Sequence, residues 1–197
     1  MTLLRNSSSV ILKNIAGLIQ EKVSSERQSL VEQFMSQLFD NMAKEDLENR
    51  IDVDLYGAAL SLFNRFYDAD SHAPMIKVFN PDLGNDGWQS EHTIIQIVIQ
   101  DLPFLVDSVK MALNRFELTT HMLLHTPIKV NRNKENQVTE FVDLKSGEAS
   151  YQQTVFFIEI DRQSSQKQLN NIEKELFSVL KEVSLTVGDW QIMRSKI

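Results

Sequence analysis

The first seventy residues carry apolar side chains at helical spacing. Stripes that repeat every three or four residues are typical of helices that bury one face. The second helix can be capped by Ser24 or Ser25, and a third is expected to begin after Asp52 or Asp54. The three stripes predict a helical bundle over residues 1–70, with these core positions: Val10, Ile11, Ile15, Leu18 and Ile19; Leu30, Val31, Phe34, Met35, Leu38 and Phe39; Leu55, Ala58, Ala59, Leu62, Phe63 and Phe66.

The pattern changes to that of strands after Asp68. Met75–Phe79 lies between two prolines and is a short strand candidate, whereas Thr93–Gln100 has apolar residues on both faces, as a central strand does. Further strands are predicted over 119–130, 138–144 and 152–160. Helices are predicted from Pro103, which suits a first helical position, and after Ser164 and Ser165.

The order strand–helix–strand–strand–helix is most of a ferredoxin-like unit. Its fourth strand normally follows the last helix, but here Val183, Val187 and Trp190 keep helical spacing. We therefore predict that Met75–Phe79 supplies the fourth strand and pairs antiparallel with Thr93–Gln100.

Composition removes several classes of function. The net charge is −7 and the 20 basic residues are scattered, which argues against nucleic acid as a partner. The chain has no cysteine, so disulfides, thiolate catalysis and cysteine-ligated metals are excluded. No segment approaches the ~20 apolar residues of a membrane span, and no signal peptide is evident. The expectation is a soluble, cytoplasmic protein without a membrane partner.

Motifs for catalysis, cofactors or metals do not emerge from the sequence. His121 and His125 are four residues apart, which on a helix would suit a metal pair. On a strand the same spacing separates them by roughly 13 Å, too far for one ion. No dinucleotide-binding glycine loop and no nucleophile elbow is present. We expect no catalytic, cofactor or metal residue here.

The link between the central strand and the next helix is the one candidate site. Asp101 follows the strand, and a helix N-terminus at Pro103–Leu105 presents backbone N–H groups that favour an anion such as a carboxylate. Asp101 can instead cap the helix itself, which is the favoured interpretation. Asp107 and Ser108, one turn later, can face a neighbour or a ligand.

Long runs of this sequence resemble one family. HAPMIKVFNP, followed by GWQSEHTIIQIVIQDLPFLVDSVKMALNRFELTTHMLLHTPIKVNRN, is similar to the N-terminal region of the large bacterial NAD-specific glutamate dehydrogenases. The resemblance covers roughly residues 55 to 132, and VSLTVGDWQIM near the end resembles it more weakly. It implies a fragment of a much longer enzyme that oxidises glutamate to 2-oxoglutarate with NAD.

The helical stripes and the resemblance together predict a fold and domains. The fold is expected to be α+β, with an N-terminal helical bundle followed by an ACT-like (ferredoxin-like) antiparallel sheet with two helices on one face. The implied domains are residues 1–70, the ACT-like residues 71–183, and 184–197 as the start of a connector to downstream domains.

Two functions follow from this resemblance. One is a non-catalytic regulatory or assembly module, with the downstream domains of the same chain and further copies as partners. The other is an amino-acid sensor. In the usual ACT pattern a glycine follows Asp-x-Pro, where Phe104 stands here, so we expect its side chain to fill the effector's space and favour assembly. The predicted effector or interface site is Asp101, Pro103, Phe104, Asp107, Ser108 and His121.

Overall fold

A computed structural model describes residues 10–48, 50–69, 73–144 and 150–194. These residues form six helices and five strands: α1 (Val10–Lys22), α2 (Ser25–Asp40), α3 (Lys44–Glu48), α4 (Asp52–Asp68), β1 (Met75–Phe79), β2 (Thr93–Gln100), α5 (Leu105–Asn114), β3 (Thr120–Arg132), β4 (Val138–Phe141), β5 (Tyr151–Ile160) and α6 (Gln166–Arg194). The α+β class is confirmed.

The chain divides by contacts into two compact units, neither of which is one continuous segment. Unit 1 comprises Met1–Ala69, Pro81–Ser90 and Ile128–Gln152, and unit 2 comprises Asp70–Asn80, Glu91–Pro127 and Gln153–Ile197. The boundaries 1–70, 71–183 and 184–197 stay a prediction about independently folding domains. The last of them falls within α6, which is continuous from Gln166 to Arg194.

The helices of unit 1 form where the apolar stripes predict them. The third predicted helix begins at Asp52, and Ser24 is the residue that precedes α2. A cluster of rings lies at the centre, with the Phe34 centroid 5.4 Å from those of Phe63 and Phe66. The prediction was wrong for Val10, which is largely exposed because it begins its helix, and it missed the short α3.

The C-terminal end of α4 is capped by side chains from the β3–β4 hairpin. Arg132 donates to the carbonyl oxygens of Phe66 and Tyr67, at 2.9 and 3.2 Å, and Asn136 donates to that of Ala69 at 2.9 Å. The last carbonyls of a helix lack partners within the helix and carry partial negative charge, so a guanidinium suits this position.

The strand order in the sheet is β1-β2-β5-β3-β4. The predicted pairing of Met75–Phe79 with Thr93–Gln100 is confirmed: it is antiparallel, with Met75 opposite Val98 and Phe79 opposite Ile94. The other neighbour of β2 is β5, so β2 is central as its two apolar faces predicted. The predicted hairpin of β3 with β4 is also confirmed.

Both helices of unit 2 share one core with one face of β2 and β5. The apolar residues of this core come from every second position of the strands and from one stripe of each helix: Ile95, Ile97, Ile99, Phe156, Ile158 and Ile160; Leu105, Val109, Ala112 and Leu113; Leu169, Ile172, Leu176 and Leu180. This packing is consistent with the ACT-like arrangement expected.

A polar network holds the end of β1 beside β2. Thr93 is fully buried; its hydroxyl donates to Asn80 Oδ1 at 2.6 Å and accepts the Gln163 N–H at 2.8 Å. The Asn80 amide donates to the Gln163 carbonyl at 2.8 Å. The Asn80–Thr93–Gln163 network therefore joins the residue after β1, the start of β2 and the segment that leads to α6.

Candidate effector or interface site

The link between β2 and α5 is a turn, and the helix begins at Leu105. The prediction of a helix start at Pro103 was wrong by two residues. Phe104 is the N-cap residue in left-handed backbone conformation, with φ 68°, which a helical residue cannot adopt. The first helical bond runs from the Ser108 N–H to the Phe104 carbonyl, at 3.0 Å.

Phe104 combines an unusual backbone with an exposed side chain. A left-handed conformation costs a residue with a Cβ roughly 1–2 kcal/mol, which is why glycine is common at such positions. The residue is 72% exposed, so little burial within this chain offsets that cost. The ring therefore points outward from the link.

Asp101 ties the link to the neighbouring strand. Its Oδ1 accepts a hydrogen bond from the Thr154 hydroxyl of β5 at 2.7 Å. Its negative charge also acts on His125, where it partly opposes the lowering of the imidazole pKa that burial causes. Asp101 therefore joins the link to β5, a role that the predicted helix cap did not include.

His125 is a further residue of this region, outside the six predicted site residues. Its ring packs against Phe156, with centroids 4.9 Å apart. Burial lowers its pKa from the ordinary value, and the opposing effect of Asp101 is smaller. The alternation of β3 places His125 on the same face as the apolar Leu123, and this pattern could have indicated a packed rather than a solvent-exposed histidine.

The remaining predicted residues of the link lie at the surface. Pro103 and Asp107 are exposed and Ser108 is half-buried. Met111, seven residues after Phe104, is 61% exposed, and seven residues are two turns of a helix. We call Pro103, Phe104, Asp107 and Met111 the α5 outer surface.

His121 lies at the other end of the sheet from this link. Its Nε2 is 2.8 Å from Asp161 Oδ1, and its ring stacks on that of His92 with centroids 4.2 Å apart. Asp161 follows Ile160, which pairs with Thr93 at the start of β2, whereas the link follows the end of β2. Eight strand residues place the two ends roughly 23 Å apart, so the structure does not bring His121 together with the other five predicted residues.

The carboxylate of Asp161, which contacts His121, also accepts a hydrogen bond from the backbone. The Thr119 N–H donates to Asp161 Oδ2 at 2.9 Å, and this bond is the largest cause that lowers the pKa of Asp161, followed by the bond to His121. Among the described residues, no group of three or more histidine or acidic side chains could hold a metal ion. Nor does any helix in the described ranges have the length and apolarity to cross a membrane.

Comparison with known proteins agrees with the resemblance in the motifs. The model of the glutamate dehydrogenase ACT1 domain matches residues 34–176. A NAD-specific glutamate dehydrogenase of Halomonas elongata is 34% identical over 187 residues, which are 94% of this chain and 12% of that protein. One of Pseudomonas aeruginosa is 36% identical over 164 residues, 83% of this chain and 10% of that protein. No solved structure matches.

The chain thus spans about a tenth of the length of these relatives. The match to the domain model covers well over half of the chain, and both relatives carry the same name. This chain belongs to the NAD-specific glutamate dehydrogenase family, in the region of its ACT1 domain.

Proposed function

We propose that this chain is a non-catalytic regulatory and assembly module of an NAD-specific glutamate dehydrogenase. The parent enzyme would convert L-glutamate, NAD⁺ and water to 2-oxoglutarate, ammonium and NADH, with the nicotinamide site and the catalytic residues outside this chain. The partners of the module would be downstream domains of the same polypeptide or further copies of the enzyme. The proposal rests on the family and on one feature of the β2–α5 link.

That feature is the exposed, left-handed Phe104. A strained backbone conformation that no contact within the chain compensates suggests a functional role for the residue. An aromatic ring that projects from a rigid turn can be buried in a pocket of a partner, where aromatic anchors contribute most of the binding free energy. Met111 extends the apolar contact along the same helix, which makes the α5 outer surface the contact that we propose.

Phe104→Gly separates the two roles of this residue. Glycine removes the backbone cost of roughly 1–2 kcal/mol but loses about 0.5–1 kcal/mol through the entropy of the unfolded chain. We expect the isolated chain to become more stable by about 0.5–1 kcal/mol, while the parent enzyme assembles more weakly. Phe104→Ala keeps the backbone cost and loses the ring, so it should weaken assembly without stabilising the chain.

The control is Phe177→Ala, which removes an exposed phenylalanine on α6, outside the α5 outer surface. Sedimentation of the full-length enzyme measures assembly, and urea unfolding of the chain measures stability. If both Phe104 variants sediment as the parent does, the proposed contact does not exist. If Phe177→Ala dissociates the enzyme instead, the contact lies on α6.

An amino-acid sensor is the alternative, and the backbone at Phe104 favours it. With φ 68° this residue has a left-handed backbone, which glycine adopts without strain, at the position where the usual ACT pattern has glycine. A ligand that binds only the folded chain at about 100 times its dissociation constant adds ~2.7 kcal/mol of stability. Thermal unfolding with each common amino acid at millimolar concentration therefore distinguishes the functions: a shift confined to one or two of them, and changed by Phe104→Gly, indicates a sensor.

A further inference from the structure

The strand β1 is an edge of the sheet. It pairs with β2 on one side only, because it stands first in the strand order. Such an edge presents backbone N–H and C=O groups to which a strand of another chain can add. In an antiparallel ladder these outward groups belong to alternate residues. In β1 they belong to Ile76 and Val78, since the Val78 N–H points away from β2.

The outward N–H of Val78 is bonded to a carboxylate of α6. Glu173 Oε2 accepts it at 3.0 Å, across 95 residues of sequence. The neighbours Leu169, Ile172 and Leu176 of the same helix are buried in the core of unit 2, so the helix cannot rotate without breaking that core. Glu173 is therefore held beside β1 by packing that does not depend on the hydrogen bond.

β1 itself also carries a charged residue, Lys77. The Lys77 ammonium lies 5.2 Å from the centre of the Phe79 ring. Lysine on an edge strand and an acceptor that occupies an edge N–H both oppose the addition of another strand. The Asn80–Thr93–Gln163 network also holds the C-terminal end of β1 in place by hydrogen bonds.

We infer that Glu173 blocks the β1 edge against pairing with β1 of a second copy of this chain. An incoming strand would have to displace the carboxylate from the Val78 N–H and would bring a second Glu173 close to the first. Like charges that approach in this way are repelled. This inference does not depend on the proposed function, because it concerns the isolated chain and makes no use of the α5 outer surface.

The test compares Glu173→Ala, Glu173→Gln and Glu182→Ala. Alanine removes the acceptor, whereas glutamine keeps an acceptor oxygen of the same reach. Glu182 is an exposed residue of the same helix and serves as the control. Amide hydrogen exchange at Val78 reports the bond, and sedimentation over a range of concentrations reports association.

We expect the Val78 amide of Glu173→Ala to exchange about tenfold faster at low concentration, as loss of a hydrogen bond to a charged group predicts. At high concentration this variant should associate more than the original chain and regain protection at Val78. Glu182→Ala should behave as the original chain in both assays. Glu173→Gln keeps an acceptor but loses the charge, so it should fall between the original chain and Glu173→Ala in both.

Three results would overturn the inference. The first is unchanged association of Glu173→Ala, and the second is association without renewed protection at Val78, which would place the contact elsewhere. The third is loss of cooperative unfolding in Glu173→Ala, which would make Glu173 a residue required for folding. None of these bears on Phe104, so the two proposals fail separately.

Discussion

Replacement of Arg132 by methionine tests whether side chains from the β3–β4 hairpin stabilise the end of α4. The guanidinium donates to the carbonyls of Phe66, Tyr67 and Asn136, at 2.9, 3.2 and 2.7 Å, and lies over the Phe66 ring at 5.3 Å. Methionine keeps most of the apolar stem and removes every one of these donors.

The expected loss follows from the three bonds. Hydrogen bonds from a charged donor contribute more than neutral ones, but this site is partly exposed, so we take about 1 kcal/mol for each. The free energy of unfolding should fall by about 3 kcal/mol, a large effect for one substitution. Arg132→Lys should recover less than half, because an ammonium cannot reproduce the planar fork of the guanidinium.

Urea unfolding followed by the fluorescence of Trp88 measures this change. Trp88 is buried in the same unit, and a Trp190→Phe background leaves it as the single reporter. The control is Arg115→Met, which breaks an exposed ion pair with Glu175 and should cost less than about 1 kcal/mol. Equal effects of the two substitutions would refute the capping argument.

Two further predictions concern a close contact at Gly57 and the half-buried imidazole of His125. A Cβ at Gly57 would lie 2.5 Å from the Trp88 Cβ, so Gly57→Ala should lower the melting temperature through a loss of about 1–3 kcal/mol. Gly17→Ala meets no atom within 4 Å and should raise stability by up to about 1 kcal/mol; the reverse order would contradict the packing. His125 has a folded pKa below its unfolded value near 6.5, so its contribution is present above that pH and is lost as the pH falls through the folded pKa. In unfolding experiments from pH 8 to 5, His125→Gln should therefore lose less stability than the original chain; parallel curves would exclude this role.

The parts of the fold that local periodicity controls were predictable. The stripes of α2 and α4 indicate burial directly, because every third or fourth residue of each helix faces the core. The apolar residues on both faces of β2 indicate a strand that is buried on both sides. The place of Met75–Phe79 followed from a different signal, namely that Val183 and Val187 leave no strand after the last helix.

The features that depend on distant partners were not predictable from patterns. Nothing in the spacing of Arg132 indicates that it reaches α4, and the stack of His92 on His121 joins the residue before β2 to a residue of β3. The left-handed backbone at Phe104 was also hidden, because hydrophobic periodicity carries no information on φ. The sequence indicates the β2–α5 link as a candidate, which stays a prediction, whereas the exposed Phe104 and the bond of Asp101 to Thr154 are seen only in the structure.

The position of β1 directly before β2 in the sequence affects the order in which the sheet forms. Its ladder with β2 closes between Phe79 and Ile94, only 15 residues apart, whereas β2 meets β5 between Gln100 and Gln153, 53 residues apart. The entropy of loop closure favours the shorter loop by about 1 kcal/mol, and local contacts form faster than distant ones. We therefore expect the β1–β2 ladder to form before β2 pairs with β5 during folding.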